Sequence, residues 1–370
     1  MYQRFLSNIK NIPGKKTIRK LIVFYADDFG SIRIRSKVAK EKLTAAGIKM
    51  DNNRYSFDTL ASSVDINQLY EVLMSVKDKN GNYACFTPLI NIANPDFERI
   101  RNSGYTQYFR EPFTDTLQRY GYDDVLDLWK QGVKSRLIYP EYHGTEHLNV
   151  RKFMTALQRE HKSTCLAFKH ECVCIPSFED EIAIKNASTT FDIEHAFENE
   201  SLKTDINTGL EMFKNILGYT PTQFTPGAGI YSPLLHQSLL DNGIKYIHAN
   251  RFKSYPLGDN SYAKKFLYNG KTNEVGQKYI VRNSPFEPIL DNFKRNEHAV
   301  RVCFNNIEAA FNMHSPALIS THRVNFVGGI DVEHRNYSLG QLKLLLNKII
   351  NRWPDVEFVT GDQMARIVLE

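Results

Sequence analysis

The sequence predicts an α/β protein folded as a distorted barrel of alternating strands and helices. Three observations predict it. Short unbroken apolar runs, such as KLIVFYA at residues 20–26, lack the polar alternation of a strand with one wet face. They suit strands covered on both sides, as in a parallel sheet. These runs alternate with segments of helical period along the whole chain, the pattern of β-α-β units. About eight such units fit into 370 residues, the count of a (β/α) barrel, which can use this length as one domain.

The elements follow in order. Residues 20–26 form the first predicted strand, and a helical pattern over 35–46 stops before Gly47. Residues 66–78 place apolar side chains at helical spacing, and Asn80-Gly81 ends them. Residues 83–91 read as the second strand, 123–132 as a helix, and 135–144 as the third strand with its exit loop. Further helices are predicted at 150–161, 200–217, 233–242, 297–312 and 339–351. Further strands are predicted at 164–169, 222–225, 244–248, 278–282, 317–321 and 357–360. Residues 251–277 are polar, with several Gly, Asn and Lys, and read as a long loop or a small excursion from the barrel. With no clean linker and no repeat of fixed period, one domain over residues 1–370 is expected.

Composition narrows the class. Hydrophobic residues make up 42% and charged residues 24%, a mixture able to bury a large core. The 47 Lys and Arg outnumber the 41 Asp and Glu, but apart from GKKTIRK at 14–20 they are scattered. A basic stripe for nucleic acid is therefore not supported, and no nucleic-acid partner is expected. The five cysteines follow neither zinc-finger nor disulfide-scaffold spacing. Cys172 and Cys174 could form a metal pair, but without a second pair, buried reduced thiols are expected. No stretch approaches the ~20 apolar residues of a membrane span. The first residues lack the apolar core and cleavage site of an export signal. These features predict a soluble, cytoplasmic protein, and they leave its oligomeric state open.

In a parallel α/β barrel the active site forms at the C-terminal ends of the strands. That rule selects Asp27 and Asp28 after the first strand, His143 and His147 in YHGTEHL after the third, and His322 in ISTHRVN. Each has an ordinary explanation: an Asp pair caps helices and forms turns, and a single His is more often structural. Together, Asp28, His143 and His147 supply one oxygen and two imidazole ligands. Three protein ligands with an open position define a catalytic metal site, whereas a structural zinc site is closed by four. A serine hydrolase is not supported, since no G-x-S-x-G elbow occurs. Tyr139, Tyr142, Tyr231 and Phe286 are placed near the rim, where they either stack on sugar faces or pack under loops.

The motif YADDFG resembles the Asp-Asp signature of the polysaccharide deacetylases, in the glycoside hydrolase/deacetylase superfamily. HGTEH resembles their His-x-x-x-His signature. ALISTHRVNF, SLGQLKLLLNKI and WPDVEFVTGDQM resemble their closing strand, helix and strand, so the likeness spans most of the chain. The resemblance implies a distorted barrel of seven or eight units and metal-dependent removal of acetyl groups from a carbohydrate, with zinc the expected ion. Carried over residue by residue, Asp27 is the general base, Asp28, His143 and His147 hold the metal, and His322 is the general acid. An amide of the glycine-rich turn at 225–229, which contains Gly227, is expected at the oxyanion. Tyr142, Gly227, Tyr231 and Arg282 are the candidate substrate-binding residues.

The chain also departs from the family pattern. The acidic and histidine motifs lie 115 residues apart (143 − 28), wider than usual. Thr225 stands where the family places an arginine that orients the base. Arg282, in VRNSPFEP, either substitutes for that arginine or makes a strand-end ion pair. Two other readings stay open: a hydrolase of a non-peptide C–N bond in a small molecule, and a carbohydrate-binding barrel without turnover. A free base and acid, Asp27 and His322, argue against the last.

Overall fold

The computed structural model describes residues 7–50, 54–291 and 297–370. Thirteen strands are labelled in chain order: β1 (Lys20–Phe29), β2 (Phe86–Asn91), β3 (Ala93–Pro95), β4 (Arg110–Pro112), β5 (Glu141–Gly144), β6 (Gln223–Phe224), β7 (Tyr246–His248), β8 (Phe252–Pro256), β9 (Tyr262–Phe266), β10 (Lys278–Ile280), β11 (Ser284–Pro285), β12 (Ala317–His322) and β13 (Val356–Phe358). Nine of them form one sheet in the order β10-β7-β6-β5-β2-β1-β12-β11, with β13 pairing the first residues of β1. Every pairing in it is parallel. Every residue of β1 after Lys20 is buried, as a strand covered on both faces requires.

The two ends of that order, β10 and β11, are separated in sequence only by residues 281–283. One stretch of chain therefore pairs with β7 and, three residues later, with β12. The sheet curls round on itself through this stretch, which makes a distorted (β/α) barrel. Arg282 sits at the point where the stretch changes partners.

Helices cover the outside, where the predicted apolar stripes meet the sheet. The helix Ser63–Met74 starts with a capping box between Ser62 and Asp65 and buries Ile66, Leu69, Tyr70 and Leu73. The helix Val332–Arg352, capped by the Asp331 carboxylate, buries Leu339, Leu342, Leu345, Leu346 and Ile349 at helical spacing. One predicted strand is corrected: residues 164–169 lie in a helix, Lys162–Lys169, capped by His161. A short apolar run fits either period. Here Ala167 and Phe168 turn inward, and Phe168 packs on the rings of Phe97 and Phe153. The 251–277 excursion contains an antiparallel hairpin, β8–β9.

Register sets the height of each functional residue. Along β1–β12, Ile22 stands opposite Ala317, and the ladder runs up to Asp27 opposite His322. Side chains alternate between faces along a regular strand, so Asp27 and Asp28 would point opposite ways. The β1–β2 register slips between Ala26 and Phe29, and Asp28 takes φ of 74°. This bulge brings both carboxylates to one cleft. Gly30 follows at φ of 81°, so close to β2 that an added Cβ would lie 2.1 Å from the Asn91 carbonyl oxygen. The glycine of YADDFG is thus required by the bulge.

Candidate metal centre and catalytic groups

A cavity of about 320 Å³ opens at the C-terminal ends of the strands. Asp27, Asp28, His143, His147, Arg282 and His322 all line it. The structure therefore brings together the residues that the sequence placed on separate strand ends.

Asp28, His143 and His147 form one cluster whose ligand atoms lie within 4.8 Å of one another. The His143 and His147 Nε2 atoms stand 3.3 Å and 3.1 Å from Asp28 Oδ1. His143 donates Nδ1–H to the Thr225 carbonyl at 2.6 Å, which turns Nε2 toward Asp28. Burial holds His147 below its usual pKa, although Asp28 beside it works the other way. Burial would raise Asp28, but the two imidazoles outweigh it and hold the carboxyl well below its usual range. Asp28 Oδ2 and His147 Nδ1 are buried without a hydrogen-bond partner. A carboxylate oxygen and two imidazole nitrogens, with buried atoms left unpaired beside them, are the donor set a divalent ion requires. The site fits the metal that the resemblance implies.

Beside the cluster stands Asp27, 5% exposed. Arg282 grips its carboxylate in a two-point fork, with Nη1 to Oδ1 at 2.5 Å and Nη2 to Oδ2 at 2.9 Å. Burial works against the Asp27 charge, yet Arg282 and then His322 outweigh it and keep the carboxyl below its ordinary value. Of the two openings left for Arg282, the structure shows the pairing with Asp27, 255 residues away in sequence.

His322 Nε2 lies 3.8 Å from Asp27 Oδ2, and its Nδ1 is 2.5 Å from Glu287 Oε1. Asn325 in turn donates to Glu287 Oε2 at 2.7 Å. Burial opposes a charge on His322, but Glu287, helped by Asp27 and Asp28, lifts its pKa to about 9. Sequence reasoning missed Glu287 and Asn325. The signal for Glu287 was a carboxylate two residues past a strand end, in SPFEP.

Five residues expected at the rim or in the substrate site do not line the cavity. Tyr142 and Tyr231 are fully buried. Tyr142 packs on Phe213 and Phe224, and Tyr231 gives its hydroxyl to a pair with His236. Neither ring has a free face for a sugar. Phe286 is fully buried as well. Gly227 is also buried, where an added Cβ would lie 3.1 Å from the Ser188 carbonyl oxygen and 3.6 Å from His147 Nε2, while Ala228 and Gly229 line the cavity. Tyr139 precedes β5 and lies at the opposite end of the barrel, stacked on Tyr219.

The cysteines are reduced thiols, as expected, though two of them are only partly buried. All five cysteines are free, and Cys172 Sγ points to the His170 carbonyl. Cys85, Cys172 and Cys303 are buried, whereas Cys165 and Cys174 are half-buried. Among the described residues, no helix is long and apolar enough to cross a membrane.

No protein-family model matches this sequence, and no curated protein does. Solved structures do align with it at low identity. They include a 4-alpha-glucanotransferase from Thermococcus litoralis (12% identical, 94% of this chain and 40% of that one, TM-score 0.49). The Puue allantoinase aligns at 10% identity over 94% of this chain and 90% of that one, with a TM-score of 0.49. The peptidoglycan deacetylase PdaC from Bacillus subtilis aligns at 11% identity over 94% and 91%, with a TM-score of 0.38. The chain thus spans about two fifths of the glucanotransferase. At these scores, roles for the cleft residues rest on this chain's own geometry.

Proposed function

We propose that the chain is a metal-dependent hydrolase that removes acetyl groups from a carbohydrate. One observation carries this: a forked carboxylate, Asp27, and a carboxylate-backed imidazole, His322, flank a three-ligand cluster within one cleft. A binding barrel has no use for a base and an acid held this firmly.

Asp28, His143 and His147 would hold the ion. A divalent ion supplies Lewis acidity there, lowering the pKa of water to about 7 and offsetting oxyanion charge. Asp27 is ionised and fixed in plane by Arg282, so it accepts a proton from the attacking water at the carboxylate edge. His322 is charged at neutral pH and directs Nε2 into the cleft while Glu287 fixes Nδ1. It donates that proton to the departing amine or alcohol. The turn at 225–229 uses the amides of Gly229 and Ile230 for its own bonds. Its Ala228, held at φ of 52° on the cavity wall, is the amide we assign to the oxyanion. The paired acids of YADDFG then have different work, one for the ion and one for the proton.

An acetate-release screen over N- and O-acetylated sugars, with and without chelator, tests the proposal. Release that chelator abolishes and zinc restores is expected. If no acetylated sugar yields acetate while a cyclic amide or ureide is opened, the reaction is a different C–N hydrolysis.

A further inference from the structure

The charges in the cleft do not balance. The charge of Asp27 is paired with Arg282, and Asp28 lies against two imidazoles. Two more guanidiniums, Arg33 and Arg54, line the same cavity. Arg33 is only 6% exposed: its Nη1 donates to the Cys174 carbonyl at 3.5 Å, its Nε lies 3.4 Å from Asp58 Oδ2 without a hydrogen bond, and Asp28 and Asp58 both favour its charge. Asp58 is held more closely by Arg323, at 2.9 Å and 2.8 Å, so one carboxylate faces two arginines. Arg54 is half-buried and donates to the Tyr55 hydroxyl at 2.9 Å; among the described residues, no carboxylate pairs with it. Both guanidiniums lie over the Tyr55 ring, at 4.4 Å and 4.8 Å from its centre. That ring in turn meets His322 edge-on at 6.1 Å.

Two arginines gathered on one aromatic ring repel each other, and burial of Arg33 keeps water from screening them fully. An anion between them relieves that repulsion, and guanidinium forks match carboxylate and phosphate oxygens. We infer that the cleft takes a carbohydrate carrying an anionic substituent, a carboxylate or a phosphate, near the group to be removed, and that Arg54 and Arg33 hold it. This rests on the deacetylase reading only for the reaction; the charge of the ligand follows from the arginines. Arg54 is the better handle for a test, because Arg33 also supports the buried Asp58–Arg323 pair.

The test compares N-acetylglucosamine with N-acetylglucosamine 6-phosphate and with the corresponding N-acetylated uronic acid. Equilibrium binding and acetate release are both measured at low and high salt. The charged sugars are expected to bind roughly tenfold or more tighter than the neutral one, the gain of one charge-assisted hydrogen-bonded pair. Added salt should shrink the gap. Arg54→Gln should cut the ratio of charged to neutral kcat/KM by about tenfold, mainly through KM, with Arg54→Lys intermediate. The sugar that shows the larger ratio separates phosphate from carboxylate. Equal binding of charged and neutral sugars overturns the inference, as does a ratio that Arg54→Gln leaves intact. If charged sugars bind tightly but none releases acetate, the inference stands and the deacetylase reading falls.

Discussion

The two ends of the barrel treat charge in opposite ways. At the N-terminal end, Glu357 at the middle of β13 is saturated: Arg19 reaches it at 2.9 Å and 2.6 Å, Lys79 at 2.9 Å and Asn80 at 3.2 Å. At the C-terminal end, Asp28 Oδ2, His147 Nδ1 and Arg33 Nε are buried without hydrogen-bond partners. Asp28 and Ala228 hold left-handed backbone there, at φ of 74° and 52°, as Arg136 does at the opposite end at 61°. Unpaired buried polar atoms and such backbone each cost on the order of 1–3 kcal/mol. The difference teaches that one end of this barrel is finished by folding and the other by binding.

That contrast can be broken at each end. The largest effect is expected from Asp27→Asn, which keeps the shape but removes the base: kcat should fall by about 10²–10⁴-fold while the metal content stays the same. Steady-state kinetics with metal analysis checks it, and loss of metal together with activity would move Asp27 into the ligand set. His143→Ala should weaken metal binding by more than the 10–100-fold typical of losing an outer partner. A competitive chelator titration reads this, and unchanged affinity removes His143 from the cluster.

Glu287→Gln acts one step further out. Glu287 raises His322, so a general acid at this position works below about pH 9 and fades above it. Removing the Glu287 charge should move the alkaline limb of the pH–rate profile down, toward the ordinary imidazole value, and lower the rate at pH 8 more than at pH 6. A limb that does not move would separate Glu287 from proton donation.

The smallest functional effect is expected at the finished end. The hydrogen bond from Arg19, with help from Lys79, outweighs burial and lowers the Glu357 pKa to about 2. A carboxyl lowered in the folded state adds stability above its unfolded value, which is lost as pH falls toward about 2. Glu357→Gln should therefore cost roughly 1–3 kcal/mol at neutral pH, less if solvent screens its half-exposed partners. The gap in denaturant midpoint should narrow as pH drops from 5 to 2, while kcat per folded molecule stays as in the native chain.

Much of this was legible in one dimension. Strand-forming runs end where their apolar residues stop, so a motif such as YADDFG or HGTEHL at such an end marks itself as rim chemistry. Other features were hidden. Tyr142 looked like a rim aromatic because it adjoins His143, yet in a strand neighbours face opposite ways and it turns into the core. The helix Lys162–Lys169 looked like a strand because eight residues cannot show a period clearly. Arg33, Arg54 and Tyr55 carried no signal at all, being ordinary residues of connecting loops until the fold set them across from His322.

The sequence by itself determined the barrel and the identity of five cleft residues, Asp27, Asp28, His143, His147 and His322, because local hydrophobic period places strands and strand ends place function. Only the tertiary structure decided which partner each one has. The Arg282 fork on Asp27 exists because the sheet closes through residues 281–283, and the Glu287 bond to His322 because β11 lies beside β12. The bulge that turns adjacent aspartates to one side appears only in the register of β1 against β2. Partners far apart in sequence are chosen by register and closure, which are properties of the whole sheet and not of any one segment.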